Sequence, residues 1–458
     1  MTGIDKNTVK DSTFLEKWRI EMRNTMLTVN PSWDKKDIDR ELNKMLIDDM
    51  MVPEVGLDNN VTGQYKESSL LSVLDWSLNR EMKPIIAGNG TFYKSQLEAI
   101  NPIAAMLEYF LGNRKAVKKK MFKVDDKTSN EYQDLDREQL NWKILTNSYY
   151  GASGMPKSAF YSKWSGPSTT QTAQSIISST TSLFEPFLVN NLKFIDINDA
   201  FHYMNTIREE DCKLDGWIKT ISKSELLDRI IFMFYKDVFT KEYEEVLFRY
   251  IDNLSEEEIA MIFYKNNFVE FTERHNEVKS IYDDIFSSVK NYKYAKTEDD
   301  IPEEFRSQFV DNEYGMVKGY NYFVNNQYFM DPNSPPDTVI NHLEKLRDIM
   351  MKYVYHPYLT VDRIFRLKYF ERKTVVIVDT DSNIMTLDRW VEYVHGHVLL
   401  SDYGRSRENN DFIIVNTMAY IISAVVADTL DLYGRYSNIP DDYRPKLNMK
   451  NELKVKLV

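Results

Sequence analysis

The spacing of apolar residues along the chain predicts a fold built mainly from helices. Ile38, Leu42 and Leu46 recur at helical intervals behind a Pro-Ser start signal, and a second helix is predicted over 68–79. Between them, residues 51–66 carry Pro, Gly and Asn at close intervals, which predicts a loop. The first part of the chain therefore contributes helices joined by one long connection.

A short β-hairpin and a pair of helices are predicted next. Apolar residues flank Asn89-Gly90 within 84–94, and Asn-Gly is the commonest signal for a tight hairpin. From Ser95 the pattern becomes helical and runs into the basic sequence RKAVKKKMF at 114–122. A polar connector and a second helix over about 137–149 follow, so we expect the two helices to lie antiparallel.

The remainder of the chain mixes helices with one further hairpin. A Ser/Thr-rich helix is predicted over 169–191, and residues 195–370 alternate helical patterns with acidic loops that carry no recognisable chemistry. The sequence RKTVVIVDTDSNIMTL at 372–387 predicts strand, tight turn and strand. A long apolar helix over 412–432 follows. The predicted fold class is α+β, predominantly helical.

Composition and charge exclude several classes of protein. With 458 residues and 43% hydrophobic residues, the chain is long enough for about three domains. Its single cysteine, Cys212, excludes a disulfide framework and a multi-cysteine metal site. The net charge of −12 (58 basic against 70 acidic residues) excludes a uniformly basic DNA-binding surface, so any contact with nucleic acid must be local. The N-terminus lacks the apolar core of a secretory signal, and polar residues interrupt 412–427, so we expect a buried helix and no membrane partner.

Basic residues on the two antiparallel helices form the first candidate site. Arg114 and Lys118 are four residues apart, as are Lys143 and Asn147, so each pair shares one helical face. Three cations and an amide donor that converge between two helices suit a polyanion such as a triphosphate. The alternative is a solvated basic face, the commoner role of an isolated lysine-rich run.

Two aspartates at the predicted hairpin turn form the second candidate site. Asp379 and Asp381 follow the apolar strand TVVIV, and residues two apart on a strand point to the same side of the sheet. Their carboxylates are the hard oxygen ligands that Mg²⁺ prefers, and two-metal phosphoryl transfer requires such ligands. The alternative is an Asx-type turn, which uses the same residues without a metal.

These motifs resemble those of family B DNA polymerases. The sequence KILTNSYYG at 143–151 resembles the KxxxNSxYG motif, and DTDS at 379–382 resembles the end of the YGDTDS motif. NRKAVKKKMF at 113–122 is similar to the first fingers helix of phage enzymes, and the three elements occur in the family's order. The chain departs from the family at 376–378, where Val-Ile-Val precedes the aspartates without the usual Tyr-Gly.

The resemblance implies roles for individual residues. Four fingers residues are expected to bind the incoming deoxynucleoside triphosphate: Arg114, Lys118, Lys143 and Asn147. Two residues are expected to pack beside the nascent base pair: Tyr150 and Gly151. The expected catalytic residues are Asp379, Asp381 and Lys143, with both aspartates at a two-ion Mg²⁺ site and Asp381 the stronger candidate for direct ligation.

Several family motifs are absent from this sequence. No DxxSLYPS-like palm motif or exonuclease motif precedes Arg114, and no KKRY-like motif or thumb follows the aspartates. We therefore expect a split polymerase in which another chain supplies the exonuclease, the second bridging carboxylate and the thumb. Its other partners would be primer-template DNA and deoxynucleoside triphosphates. The phage resemblance places the protein in the host-cell cytoplasm.

The resemblance also implies a division of the chain into four segments: a helical, palm-associated segment (1–94), the fingers and the start of a palm helix (95–194), a mostly helical insertion (195–371), and the palm hairpin with a C-terminal helix (372–458). Two other functions remain open. One is a non-catalytic DNA-binding or replication-partner module that retains the polymerase scaffold. The other is a different palm polymerase, such as a reverse transcriptase.

Overall fold

The structure is a computed structural model, and it confirms the predominantly helical α+β class. It describes residues 13–48, 54–59, 62–98, 101–121, 124, 126–210, 213–288, 338–358, 371–378, 383–398, 404 and 406–447. Within these ranges the strands are short and pair only as three separate two-stranded hairpins.

The elements follow one another along the chain. Those of the first half are α1 (Thr13–Val29), α2 (Lys35–Asp48), β1 (Glu54–Asp58), β2 (Tyr65–Ser69), α3 (Leu70–Leu78), β3 (Ile85–Ile86), β4 (Phe92–Tyr93), α4 (Pro102–Met121), α5 (Asn130–Ser153), α6 (Ser165–Val189), α7 (Ile197–Arg208) and α8 (Lys223–Phe232). Those of the second half are α9 (Lys241–Asp252), α10 (Glu256–Tyr264), α11 (Phe268–Arg274), α12 (Asn276–Ser288), α13 (Thr338–Ile349), a π-helical turn (Met350–Val354), β5 (Val375–Val378), β6 (Asn383–Met385), α14 (Asp388–His397), α15 (Arg407–Tyr436) and a 3₁₀ turn (Arg444–Lys446).

Side-chain caps fix where several helices begin. The Ser69 hydroxyl accepts a hydrogen bond from the backbone N–H of Ser72 and caps α3, and Ser129 caps α5 in the same way. Ser222 at the start of α8 forms a full capping box with Glu225. Each cap satisfies a backbone N–H that has no partner within the helix. The start of α5 at Asn130 makes the connector between the two central helices shorter than the sequence pattern indicates.

The prediction of a loop over 51–66 is wrong. Strands β1 and β2 pair antiparallel there, with Val55 opposite Ser68. The backbone N–H of Gly63 donates to the Asn59 carbonyl at 2.7 Å, and Gly63 has a φ of +67°. Glycine adopts this left-handed conformation without steric cost. Asn59 and Gly63, two of the residues that indicated a loop, therefore lie in the turn of a hairpin.

The chain divides into two compact units, each assembled from separate stretches of sequence. The first contains residues 1–84, 185–275 and 352–358, and the second contains 85–184, 276–351 and 359–458. The boundary after residue 184 falls inside α6. The division into four segments drawn from the sequence is a different one and stays a prediction.

The first unit is closed by a buried polar cluster. The Lys265 ammonium is almost fully buried and lies 2.5 Å from the Glu210 carboxylate. It also donates to the backbone carbonyls of Lys352 and Tyr355, at 3.1 and 2.9 Å. Glu210 contacts the His356 imidazole as well. Because a buried ammonium needs a counter-charge and several acceptors, this cluster ties the 352–358 segment to the rest of the unit.

The second unit has its core between α12, α13 and α15. Tyr282, Met418 and Leu346 are buried there, and the Tyr282 hydroxyl lies 3.6 Å from the Met418 sulfur. The Arg347 guanidinium donates to the Tyr420 hydroxyl at 3.1 Å and joins α13 to α15. These contacts join α12, α13 and α15 into one packed core.

Helix α15 is long and apolar enough over Ile413–Tyr436 to cross a membrane by length and composition alone. Core helices meet the same criterion, and 61% of the apolar window is buried. Ile414, Met418 and Ile421 are fully buried, which is the packing of a core helix.

Candidate active site

Helices α4 and α5 form the antiparallel pair that carries the basic residues. The Trp142 ring of α5 packs against Tyr109 and Phe110 of α4, with ring centroids 6.0 and 5.7 Å apart. Val117 and Met121 are buried on the same helix. Aromatic pairs at these separations add to the free energy gained from burial, so they stabilise the pair near its middle.

Arg114 lies against the α5 face that carries Lys143 and Asn147. Its Nε is 3.3 Å from Gln139 Oε1. Gln139, Lys143 and Asn147 follow one another at four-residue intervals and therefore share one face of α5. Because the helices run antiparallel, Lys118 lies one turn beyond Arg114 in the direction away from Lys143. The structure thus brings the Arg114 side chain next to the face predicted to hold the triphosphate.

The four side chains of the predicted triphosphate site, which we call the basic row, differ in exposure. Lys143 and Asn147 are exposed, whereas Arg114 and Lys118 are half-buried. The Lys143 ammonium and the Asn147 amide stay hydrated in the free protein, and a ligand that arrives from solvent can contact both. A half-buried guanidinium is held by its surroundings and loses less side-chain freedom when it binds.

The end of α5 turns towards α6. Tyr150 is half exposed, and its hydroxyl makes a 2.7 Å hydrogen bond with the Thr170 hydroxyl. Tyr149 packs edge-on against Phe160 at 5.9 Å, and burial raises the pKa of its phenol. Gly151 is exposed, and a Cβ added there would meet no heavy atom within 4 Å. The NSYYG segment therefore presents a tyrosine ring and an open backbone position at one surface.

The β3–β4 hairpin packs on the first turns of α6. The Gly88 N–H donates to the Thr172 hydroxyl at 2.9 Å, and the Tyr93 hydroxyl donates to Ser168 at 2.8 Å. A Cβ on Gly88 would lie 2.5 Å from the Gln171 carbonyl oxygen, so only glycine fits at this close approach. The hairpin predicted around Asn89 is confirmed, and it contacts the same helix as Tyr150.

The β5–β6 hairpin contacts α6 three turns further along. The Asn383 side-chain amide donates to the Thr180 hydroxyl at 3.0 Å, and the Thr181 hydroxyl lies 3.4 Å from Asn383 Oδ1. Val378 and Asn383 are paired across the hairpin, so the segment between them connects two paired positions. That segment holds Asp379 and Asp381, which lie outside the described residues.

The donor chemistry of the aspartates fits Mg²⁺, although the described residues do not form the site. Among those residues, no group of three or more His, Cys, Asp or Glu side chains could hold a metal ion. Asp379 and Asp381 supply carboxylate oxygens, the ligand type that Mg²⁺ takes in proteins. The two aspartates are thus suitable ligands, and their positions stay a prediction.

Sequence reasoning missed the residues that support the site. Gln139, Thr170, Thr180 and Asn383 hold the predicted residues or their neighbours but belong to no recognised motif. A weak signal exists at Asn383, which begins a strand otherwise made of apolar residues. No signal distinguishes Thr180, because α6 carries many hydroxyls, and several of them bond to backbone carbonyls of their own helix.

Comparison with known families identifies the family of the chain. A family model described as "Divergent Family B DNA polymerase" matches residues 80–458, more than four fifths of the chain. The chain therefore belongs to the divergent family B DNA polymerases. No curated protein and no solved structure matches it.

Proposed function

We propose that this chain is the fingers and part of the palm of a DNA-directed DNA polymerase. It would add deoxynucleotides to a primer by two-metal phosphoryl transfer, as one subunit of a split enzyme. Family membership supports polymerase-related function, and the arrangement of α6 supports the finer assignment. Through Thr170 this helix contacts Tyr150 of the NSYYG segment, and through Thr180 it contacts Asn383 beside DTDS.

The basic row on α4 and α5 is suited to bind the triphosphate. Arg114, Lys118 and Lys143 would neutralise phosphate charge, and the Asn147 amide would donate a directional hydrogen bond. Lys143 would also stabilise the charge that develops on the leaving pyrophosphate. These interactions strengthen as the transition state forms, so they accelerate the reaction as well as bind the nucleotide.

The reaction joins the primer 3′ oxygen to the α-phosphorus of the nucleotide. The bond from that phosphorus to the oxygen that bridges to the β-phosphate breaks, pyrophosphate leaves, and the 3′-hydroxyl proton passes to water. Asp379 and Asp381 would hold the Mg²⁺ ions. When bound, these ions would activate the 3′ oxygen and neutralise the leaving group.

The exposure of the β5–β6 hairpin supports a requirement for further polypeptide. Val376, Ile377 and Ile384 are each about half exposed, and β5 and β6 pair only with each other among the described strands. A two-stranded hairpin is marginally stable by itself, and its open edges are suited to pair with other strands. We assign this surface to the palm strand that carries the DxxSLYPS aspartate.

Primer extension by the assembled enzyme tests the proposal. Asp381→Ala should abolish incorporation and leave primer-template binding nearly intact, since backbone contacts elsewhere supply most DNA affinity. Incorporation within tenfold of wild type would exclude a catalytic role for this aspartate. It would mean that another chain of the assembled enzyme carries out the chemistry, which favours the non-catalytic DNA-binding module for this chain.

The requirement for a second chain needs its own measurement. The purified chain alone should fold but show no extension with Mg²⁺ and four deoxynucleotides. Co-expression with the chain that carries the DxxSLYPS motif should restore activity and yield a stable complex. Robust extension by the rigorously purified single chain would overturn the split-enzyme assignment.

A further inference from the structure

The hydrogen bond between Asn383 and Thr180 has a defined direction. The Thr180 hydroxyl donates its proton to the Ile177 carbonyl at 2.9 Å. A hydroxyl has one proton, so the Thr180 oxygen accepts from the Asn383 amide nitrogen at 3.0 Å. The Asn383 amide oxygen then faces Thr181. The Thr181 hydroxyl has a nearer acceptor in the Ile177 carbonyl at 2.9 Å, so the 3.0 Å hydrogen bond to Thr180 is the stronger of the two contacts of Asn383.

Burial makes this contact specific. Thr180 is only 1% exposed, and Asn383 is half-buried. A buried hydrogen bond is costly to break when one partner remains, because the remaining group has lost its contact with water. Asn383 also pairs with Val378 across the hairpin. The contact thus holds Asn383 against α6, and strand pairing ties Val378, at the other end of the connection, to Asn383.

Helix α6 also fixes the distance between the Asn383 contact and the contact with Tyr150 of the NSYYG segment. Thr170, which bonds Tyr150, and Thr181, which faces Asn383, are 11 residues apart on α6. Eleven residues complete three helical turns to within about 20°, a separation of about 16 Å along the axis. Thr180, which forms the shorter contact with Asn383, is ten residues after Thr170 and about 80° from it round the axis, so the two contacts lie within about a quarter turn of each other on one continuous helix.

We propose that Asn383, held by Thr180, is a positioning residue for the reaction proposed above, on which this inference rests. It touches neither nucleotide nor primer. It sets the separation between the hairpin that carries Asp379 and Asp381 and the nucleotide-binding end of α5. Thr180 acts with it as the acceptor that fixes the amide.

Steady-state kinetics of the assembled enzyme test this role. Asn383→Leu and Thr180→Val should each lower kcat by about 10- to 100-fold, since displacement of reacting groups by about 1 Å has effects of this size. The nucleotide KM should stay within about threefold, and the Mg²⁺ concentration for half-maximal rate should rise. Thr180→Ser, which keeps the acceptor oxygen, should retain the wild-type rate. The double variant should lose no more than the worse single variant, because both remove one contact.

Controls separate positioning from a loss of fold. Ser178 is an exposed hydroxyl on the same helix, and Ser178→Ala should change neither kcat nor the Mg²⁺ requirement. Active-site titration counts the folded, active enzyme. If Asn383 and Thr180 had only a structural role, their variants would contain more unfolded enzyme, and kcat per active site would not change. If Asn383→Leu does not fold, the comparison of Thr180→Val with Thr180→Ser answers the same question.

The outcomes distinguish this inference from the function on which it rests. Normal kcat and Mg²⁺ dependence in folded Asn383→Leu or Thr180→Val, with Asp381→Ala inactive, would overturn the positioning role alone. Incorporation by Asp381→Ala would overturn the proposed function. Reduced kcat with a raised Mg²⁺ requirement in both variants, and recovery in Thr180→Ser, would support the inference.

Discussion

Arg114 Nε lies 3.3 Å from Gln139 Oε1, a contact that joins α4 to α5 about one helical turn before Lys143. It turns two sequence patterns, each defined on its own helix, into one polar surface. Because Gln139 is neutral, it adds no negative charge that would compete with an anionic ligand for the guanidinium. The contact therefore both positions Arg114 and leaves it able to bind an anion.

Removal of a fingers cation should impair nucleotide use. Arg114→Ala and Lys143→Ala should each reduce kcat/KM by about 10- to 150-fold, which corresponds to about 1.5–3 kcal/mol of lost transition-state stabilisation, the usual size of a charged hydrogen bond. Lys119 is exposed on α4 outside the Arg114 and Lys118 pair, so Lys119→Ala serves as the matched control and should have little effect. Single-nucleotide incorporation kinetics measure the difference. Normal nucleotide affinity together with a normal maximal rate in Lys143→Ala would contradict the fingers assignment.

Gly88 should tolerate no side chain. Gly88→Ala places a Cβ 2.5 Å from the Gln171 carbonyl, so the hairpin must shift, at a cost of about 1–3 kcal/mol. Gly112 lies within α4 with nothing within 4 Å of an added Cβ. Gly112→Ala should stabilise the chain by about 0.5–1 kcal/mol, because alanine favours the helix. Urea denaturation of the two variants measures both effects, and equal midpoints would disprove the close approach at Gly88.

Acid should destabilise the first unit through His275. This ring is buried against Trp217, Tyr264 and Phe271, and burial lowers its pKa to about 4. An unfolded histidine has a pKa near 6.5, so below that pH the unfolded chain binds a proton that the folded chain does not. Stability should fall as the pH drops from about 6.5 to 4, by at most about 1.4 kcal/mol per pH unit.

His275→Phe should remove this pH dependence because it keeps the aromatic packing without the titrating group. Urea denaturation at several pH values would compare the variant with the wild type. An identical slope in both proteins between pH 6.5 and 4 would assign the acid sensitivity to other groups.

Loss of the buried ammonium should be far more costly than loss of an exposed one. Lys265→Met removes the ammonium partner of Glu210, which keeps its contact with the His356 imidazole, and loss of one partner of a buried ion pair costs about 3–5 kcal/mol. Lys223 forms an exposed ion pair with Asp252 at 2.7 Å, and Lys223→Met should cost about 0–1 kcal/mol. Chemical denaturation of the full chain compares the two. A small effect of Lys265→Met would mean that the polar cluster does not hold the first unit together.

The sequence predicts helices and hairpins well where their signals are local. Residues 84–94 contain Asn89-Gly90 between apolar runs, and the hairpin forms there. At 51–66 the same kinds of residue predicted a loop, because a turn between two strands and an irregular loop share Asn and Gly. Only the pairing of β1 with β2 distinguishes them, and that pairing joins residues 7 to 15 positions apart, beyond the few residues that a turn signal covers.

The candidate site was predictable only as far as its motifs extend. Four-residue spacing identified Arg114 with Lys118 and Lys143 with Asn147, because residues that share a helical face recur at this interval in the sequence. The supporting contacts of Gln139, Thr180 and Asn383 join residues 25 or more positions apart. No local pattern encodes such contacts, and hydroxyls on a helix are too common to single out one of them.

The polar cluster around Lys265 also affects the order in which the chain can fold during synthesis. The carbonyls that accept from Lys265 belong to Lys352 and Tyr355, nearly ninety residues later in the chain. Until the ribosome has released that segment, the helices from 185 to 275 hold an ammonium without its final acceptors. The first unit must therefore mature late, after most of the second unit's central stretch has been translated. Synonymous codons that slow translation between 276 and 351 should lengthen the time during which chaperones and proteases can bind this incomplete core.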